Sequence, residues 1–217
     1  METPAYVETP ARTPRPRKLL PVRPQALVAL LLALGATPAV AADASWRVVK
    51  GEVRVVCPMT VGGSFEAKAD AIRGTVTLAP SATVFGGDLS VDLATLDTGI
   101  GLRNDHLRKT YLEIGRGAGF DRAVLSEIRL GEGDPRAVRG KARFTGTFLL
   151  HGAKKAVAGQ ATVREEGRAF RVEASFPLKV TDFGIEKPQY LGVGVTEQVS
   201  VNVTLVAEPT EGGGAGR

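Results

Sequence analysis

The segment LDTGIGLRNDHLRKTYLEI, residues 96–114, holds the side chains of this 217-residue chain whose types and spacing best suggest chemistry. It contains His106, one of two histidines, next to Asp105 and among several basic side chains. A histidine can act as a general base, bind a metal ion, or belong to the polar rim of a binding pocket. Each use makes a different demand on the rest of the sequence.

The catalytic and metal-binding uses lack the partners that they require. The sequence has no G-x-S-x-G motif to supply an activated nucleophile. It also has no H-E-x-x-H motif, and the second histidine, His151, is too isolated to complete a zinc ligand set. Asp105 and His106 would point about 100° apart on a helix, so their adjacency does not make a dyad. We expect no catalytic residue, metal or cofactor; the alternative is a hydrolase or isomerase that uses His106 with Asp105 or Asp182.

The elements around this segment alternate between apolar and polar residues with a period of two, which predicts half-buried strands. In 138–150, the clearest case, Phe144 and Phe148 share one face and Arg143 lies on the other. The alternation recurs in 87–93, 170–176 and 199–205, and more weakly in 47–57, 61–69, 72–78, 120–130 and 157–164. Eight or nine strands separated by turn residues predict an all-β fold. A single antiparallel β-barrel is favoured, because closure leaves no exposed sheet edge.

Small residues share the inward faces of these strands with large aromatic ones. The small residues are Gly74, Gly140, Ala142, Gly146, Gly159 and Ala161, and the aromatic ones are Phe144, Phe148, Phe170 and Phe176. A barrel of about eight strands is either filled by side chains or holds one small ligand, and small interior residues favour a cavity. Small residues can equally mark bends and close packing at barrel corners. The pattern alone leaves both interpretations open.

Residues 101–114 have helical rather than strand spacing and predict one short helix inserted between strands. The residues expected to lie against the barrel are Leu102, Leu107, Tyr111 and Ile114, whereas Arg103, Asp105, Arg108 and Lys109 would face elsewhere. Such a helix would act as a lid or plug.

Residues 1–41 have the pattern of a secretory signal peptide. Basic residues between Arg12 and Arg23 precede the apolar run 26–36, and Ala39-Val40-Ala41 supplies small residues before a cleavage site. The apolar run is shorter than the roughly 20 residues that span a bilayer, so we expect no stable membrane span after cleavage. No Arg-Arg pair precedes the run, which favours the general secretory route to the periplasm.

The chain without this leader is a single-domain candidate with little excess charge. The leader carries five basic and two acidic side chains, so about +2 of the total net charge of +5 would remain. No basic stripe with interleaved aromatics is left to bind nucleic acid. Cys57, the single cysteine, predicts a buried thiol, with pairing between chains of a homodimer as the alternative. The domain would span 42–207, and the Gly-rich residues 208–217 predict a disordered tail.

The order of these segments resembles the YceI-like family of exported bacterial proteins. The resemblance is carried by Asp97-Thr98-Gly99, the Arg-x-x-His-Leu pattern from Arg103 to Leu107, His151-Gly152 and Asp182 to Ile185, and it covers roughly residues 45–207. It implies a lipocalin-like, extended barrel whose interior holds a long apolar molecule, with polyisoprenoids as the characteristic ligands. It therefore favours the cavity over the filled interior.

The resemblance also implies a role for segment 96–114 at one end of the barrel. Leu107 and Tyr111 would pack inward. Because Arg103, Arg108 and Lys109 cluster beside this apolar face, we further hypothesise that the basic side chains lie near a polar ligand head. The predicted ligand-binding residues are Leu89, Val91, Arg103, His106, Leu107, Arg108, Tyr111, Phe144, Phe148, Phe170, Phe176 and Val201. We expect a periplasmic carrier of an isoprenoid or another lipid; the alternative is an envelope interaction or stress-related module with a filled barrel.

Overall fold

The computed structural model of the protein describes residues 43–187, 189, 190 and 193–210. The predicted leader and residues 211–217 of the predicted tail lie outside the described residues. Within the described part, the last strand continues to Pro209, so residues 208 and 209 are paired strand rather than tail.

Strands make up most of the described chain. They are β1 (Ala44–Pro58), β2 (Ser64–Ala69), β3 (Ile72–Leu78), β4 (Phe85–Asp92), β5 (Arg122–Leu130), β6 (Gly140–Leu150), β7 (Ala153–Glu166), β8 (Ala169–Lys179), β9 (Gln189–Tyr190), β10 (Val193–Gly194) and β11 (Gln198–Pro209). The helix α1 (Gly101–His106) lies between β4 and β5 and continues into a π-helical turn, Leu107–Tyr111. Short 3-10 turns occupy Leu93–Thr95, Ile114–Arg116, Pro135–Ala137 and Val180–Phe183.

The sheet closes on itself because β1 pairs with both β3 and β11. The antiparallel order is β11, β8, β7, β6, β5, β4, β3, β1, and β1 returns to β11 over Trp46 to Val56. The second half of β1 pairs with β2 instead of β3, so β2 and β3 share one position beside the long first strand. The predicted fold class is confirmed: the protein is a closed, eight-stranded antiparallel barrel with one short helix.

The predicted alternation sets which side chains enter the barrel. In β6, Phe144, Phe148 and Leu150 are buried, while Lys141 and Arg143 are exposed. Such alternation is expected for a strand with one apolar and one solvated face. The barrel interior is therefore the hydrophobic core of the protein.

The connection from β6 to β7 is a tight hairpin built from His151 and Gly152. Both residues have positive φ, 50° and 75°, as a two-residue type I′ turn requires. Glycine adopts this conformation freely, whereas a histidine there is uncommon. The His-Gly pair thus has a structural position at one end of the barrel.

Candidate functional site

Two cavities follow one another along the barrel interior. The first cavity, about 190 Å³, lies at the end that carries α1, and its wall includes Val55, Val91, Phe148, Leu178 and Val201. No charged side chain is found among the described residues that line it. An apolar space of this kind has few polar partners to hold water, so it suits an apolar occupant.

The second cavity, about 210 Å³, occupies the other end of the barrel. Its wall includes Trp46, Phe85, Phe144, Ala161 and Phe170. Five residues line both cavities and are called the waist: Leu89, Leu125, Phe176, Val203 and Leu205. The two spaces therefore meet at side chains, and movement of those side chains would join them.

Aromatic rings form a contact chain through the barrel. The ring of Phe176 lies edge-on to those of Phe144 (5.8 Å) and Phe148 (5.6 Å), and Phe148 contacts Phe183 in the same way (5.9 Å). Edge-to-face pairs at these distances add to the free energy of burial. Phe183 belongs to the Asp-Phe-Gly-Ile segment, which thereby closes the α1 end of the barrel.

The π-helical turn after α1 decides which side chains cover the first cavity. The N–H group of Leu112 donates to the carbonyl of Leu107 (2.8 Å), a five-residue step. Leu107, Tyr111 and Leu112 all line the cavity, and Leu112 was not predicted because α-helical spacing does not place it with Leu107. The expectation that Leu102 packs against the barrel is wrong, since it is 70% exposed at the start of the short helix.

The Asp-Thr-Gly segment fixes the start of this helix. The side chain of Asn104 donates to Asp97 Oδ1 (2.7 Å) and accepts from the hydroxyl of Thr98 (2.7 Å). Asp97 Oδ1 also accepts from the N–H group of Gly99 (2.8 Å). Hydrogen bonds from Asn104 and then Gly99 lower the pKa of Asp97 below its usual value. The segment therefore holds the start of the helix in place.

The basic side chains of the helical segment line neither cavity. The guanidinium of Arg103 lies 4.3 Å above the ring of Phe65, and Nη2 of Arg108 donates to the carbonyl of Leu96 (2.7 Å). Lys109 pairs with Asp105 at 3.3 Å on the surface. Phe65 and Leu96, the partners of Arg103 and Arg108, line the first cavity, but neither guanidinium group does. The expected cluster around a ligand head therefore does not form inside this cavity.

Nine of the twelve predicted ligand-binding residues line a cavity. They are Leu89, Val91, Leu107, Tyr111, Phe144, Phe148, Phe170, Phe176 and Val201. Arg103, His106 and Arg108 do not, and His106 is exposed. His106 therefore does not lie in the deep pocket that the catalytic alternative requires.

Some of the small inward residues line a cavity, and others lie where strands pack closely. Ala161 is buried and lines the second cavity, as the cavity interpretation expects. At Gly159, in contrast, an added Cβ would clash with the carbonyl oxygen of Ser175 and lie 2.7 Å from Cε1 of Phe144. At Gly146 it would lie 2.9 Å from Cδ1 of Leu125. Close packing thus explains the two glycines, and open space accompanies the alanine.

His151 ties three connecting segments together at the α1 end. Its Nδ1 lies 3.0 Å from the carbonyl oxygen of Phe183, and its Nε2 lies 2.9 Å from Oε2 of Glu113, both within hydrogen-bond distance. Glu113 also forms an ion pair with Arg116, and the hydrogen bond from Arg116 is the main reason that the pKa of Glu113 lies below its usual value. Desolvation opposes this shift, and the hydrogen bond with His151 adds to it. The ring of Phe120 packs edge-on to the imidazole at 4.8 Å. His151 therefore has a structural role, because it connects these segments at the α1 end.

Cys57 lines the first cavity as a thiol. Burial raises its pKa to about 11, against a smaller lowering by nearby Arg103. A thiol of this kind is mostly protonated and a poor nucleophile. The side chain is partly buried against the core, which agrees with the buried-thiol interpretation only in part; pairing between chains stays a prediction.

Metal and membrane features are sparse in the part of the chain that the structure describes. There, no group of three or more His, Cys, Asp and Glu side chains is arranged to hold a metal ion. Nor does any helix in that part have the length and apolar character needed to cross a membrane.

The fold and the site together define an antiparallel barrel with an apolar, partly empty interior. The chain belongs to the YceI-like family, since the model of the YceI-like domain matches residues 43–207. No curated protein matches the chain.

Two solved structures share the fold. A polyisoprenoid binding domain from Saccharophagus degradans, implicated in plant cell wall breakdown, is 18% identical with a TM-score of 0.59 over 76% of this chain and 98% of that one. BcnA of Burkholderia cenocepacia is 18% identical with a TM-score of 0.58 over 72% of this chain and 95% of that one. At this identity the likeness concerns the fold alone.

Proposed function

We propose that this protein is a periplasmic binding protein that encloses a long apolar molecule, such as a polyisoprenoid or another lipid, within its barrel. The observation that carries the proposal is the pair of apolar cavities that meet at the waist. The carrier role needs no catalytic residue, and its ligand would be carried or stored unchanged.

The physical basis of binding would be the removal of apolar ligand surface from water. Burial contributes about 25 cal/mol per Å² before the costs of ordering the ligand and the side chains. A flexible prenyl chain could follow the interior past the waist, because the waist consists of side chains rather than backbone. The name of the Saccharophagus degradans domain supports an isoprenoid as the ligand.

The proposed location rests on the leader. Residues 1–41 combine a basic region, an apolar run and small residues before Ala42, as an export signal does. Amino-terminal sequencing of the chain purified from the periplasm of its own cells tests this point. A mature terminus at or near Ala42 is expected, and an intact terminus in the cytoplasm contradicts export.

Native mass spectrometry of the mature protein, purified without detergent, tests the binding function. A stoichiometric extra mass that organic solvent extracts as a prenyl lipid is expected. A bare polypeptide mass that persists after incubation with polyprenols contradicts the proposal and favours the envelope interaction module.

A matched pair of variants connects the bound mass to the cavity. Ala123 lines the first cavity, whereas Ala158 lies on the exposed face of β7. Ala123→Phe should reduce the bound fraction because the ring occupies ligand space, and Ala158→Phe should leave it unchanged. Equal bound fractions in the two variants would place the ligand outside the first cavity.

A further inference from the structure

The two cavities differ in charge. Among the described lining residues, Arg136 and Arg139 are the only charged side chains, and both belong to the second cavity. We infer that the ligand is an amphiphile with an anionic head, a phosphate or a carboxylate, and that this head lies at Arg136 and Arg139, at the end opposite α1. The inference rests on the proposed function and adds the class and the orientation of the ligand.

The two ends of the barrel are also covered differently. Outside the strands, the first cavity is lined by side chains from several connections: Leu93, Leu96, Leu107, Tyr111, Leu112, Val180, Ile185 and Val195. Among the residues that the structure describes, the second cavity is lined outside the strands only by residues 135, 136, 138 and 139, all from the connection between β5 and β6. A ligand tail therefore meets an apolar wall at the α1 end, whereas the head would meet one short segment at the other.

Arg139 is placed to receive an anion from the cavity. Its guanidinium lies 5.2 Å from the centre of the Phe170 ring, which itself lines the second cavity. Nη1 donates to the carbonyls of Arg136 (2.8 Å) and Val138 (2.9 Å), and Nη2 pairs with Glu165. The hydrogen bonds to backbone carbonyls fix the guanidinium at the cavity rim, and the carboxylate of Glu165 occupies the position that an anionic ligand head would take.

A ligand anion could replace Glu165 in the ion pair with Arg139. Both side chains are about half exposed, 45% for Arg139 and 52% for Glu165. Pairs at this exposure contribute little net free energy because water screens them. The head of a ligand whose chain is already buried could replace or join this carboxylate, since a guanidinium can hold a phosphate or carboxylate through two hydrogen bonds.

Arg136 holds the segment that carries both guanidinium groups. Its Nη2 donates to the carbonyls of Leu78 and Ala79, and its Nη1 pairs with Asp134 at 3.3 Å. These bonds tie the β5–β6 connection to the end of β3. Arg136 is thus both a cavity wall and the anchor of the rim.

The basic side chains at the α1 end do not offer the same site. Arg103 lies over Phe65, and Arg108 is bonded to the carbonyl of Leu96. Neither lines a cavity. A head bound there would have to sit outside the apolar wall that covers the first cavity.

Binding of farnesol and farnesyl monophosphate tests the inference, because the two probes share one chain and differ in the head. The wild-type protein should bind the phosphate about fivefold more tightly, the effect of a partly exposed charge-assisted contact. Arg139→Gln should remove this preference, measured as the ratio of the two affinities in the same variant, and Arg139→Lys should keep most of it. Higher salt should weaken the wild-type preference.

Arg164→Gln is the matched control. Arg164 forms a similarly exposed ion pair with Glu173 (3.0 Å) but lines neither cavity, so this variant should keep the wild-type preference. The inference fails if the wild type binds both probes equally, if Arg139→Gln keeps the preference, or if Arg103→Gln removes it. In these cases, farnesol binding still supports the proposed function. If neither probe binds, the proposed function and the inference fail together.

Discussion

Replacing Phe176 by leucine tests whether the two cavities act as one binding site. Phe176 is 5% exposed, belongs to the waist, and makes edge-to-face contacts with Phe144 and Phe148. Each aromatic pair contributes about 0.5–1.5 kcal/mol beyond burial, and leucine refills only part of the ring's space. We expect the free energy of unfolding to fall by about 2–3 kcal/mol. In a domain of this size, that loss lowers the Tm by about 4–12 °C.

The same change should favour long ligands, because it widens the passage between the cavities. Titration with geraniol, farnesol and a longer polyprenol would measure how affinity depends on chain length. In Phe176→Leu, the gain in affinity from farnesol to the longer chain should exceed the wild-type gain by about threefold, for an extra burial of about one methylene. Thermal unfolding with and without each ligand gives a second measurement.

Phe85→Leu is the matched control for this experiment. Phe85 lines only the second cavity and packs edge-on to Trp46 at 6.0 Å, so its loss also lowers stability. It does not belong to the waist, and the dependence of affinity on chain length should stay as in the wild type. If the two variants show the same dependence, the waist does not separate the cavities for a ligand and the reasoning is wrong.

Three other changes have effects that the structure also defines. Gly159→Ala should lower the free energy of unfolding by about 1–3 kcal/mol, because the added methyl group has no space. Gly101→Ala is the control: no atom lies within 4 Å of its added methyl group, so the free energy of unfolding should change by less than about 0.5 kcal/mol. Urea unfolding measures both variants. Cys57 should react with Ellman's reagent at pH 8 about 100-fold more slowly than an ordinary thiol, since its pKa of about 11 leaves little thiolate, and a normal rate in the folded protein would contradict its burial. The stability advantage of the wild type over Asp97→Asn should be present above the usual carboxyl pKa of 3.8 and lost as the pH falls through the lower folded pKa, because only the carboxylate gains from Asn104; an advantage that is constant down to pH 2 would refute this.

The strands could be predicted from the sequence because their signal is local. A period of two assigns each residue to one face of its strand, whatever the rest of the chain does. The inward positions of Phe144, Phe148 and Val201 followed directly from this alternation. Other wall residues, such as Val53 and Val199, lie on the same faces and could have been added by the same rule.

The helical segment was predicted less well, because its period changes within a few residues. The step from Leu107 to Leu112 follows the π-helical turn, and no residue type in the sequence marks that turn. Constant α-helical spacing therefore places Leu102 against the barrel, although it is exposed, and leaves out Leu112, although it is buried. Spacing rules hold only while the helix keeps one geometry.

The sequence by itself determined the alternating strands, the order of motifs that resembles the family, and a leader with the composition of an export signal. Only the tertiary structure decided that the interior keeps two cavities and that the guanidinium groups of Arg136 and Arg139 line one of them. The physical reason is that a cavity is the difference between the space enclosed by eight strands and the volume of the side chains that enter it. Register and closure set that space, and a long arginine side chain takes partners from segments far along the chain, such as the carbonyls of Leu78 and Ala79.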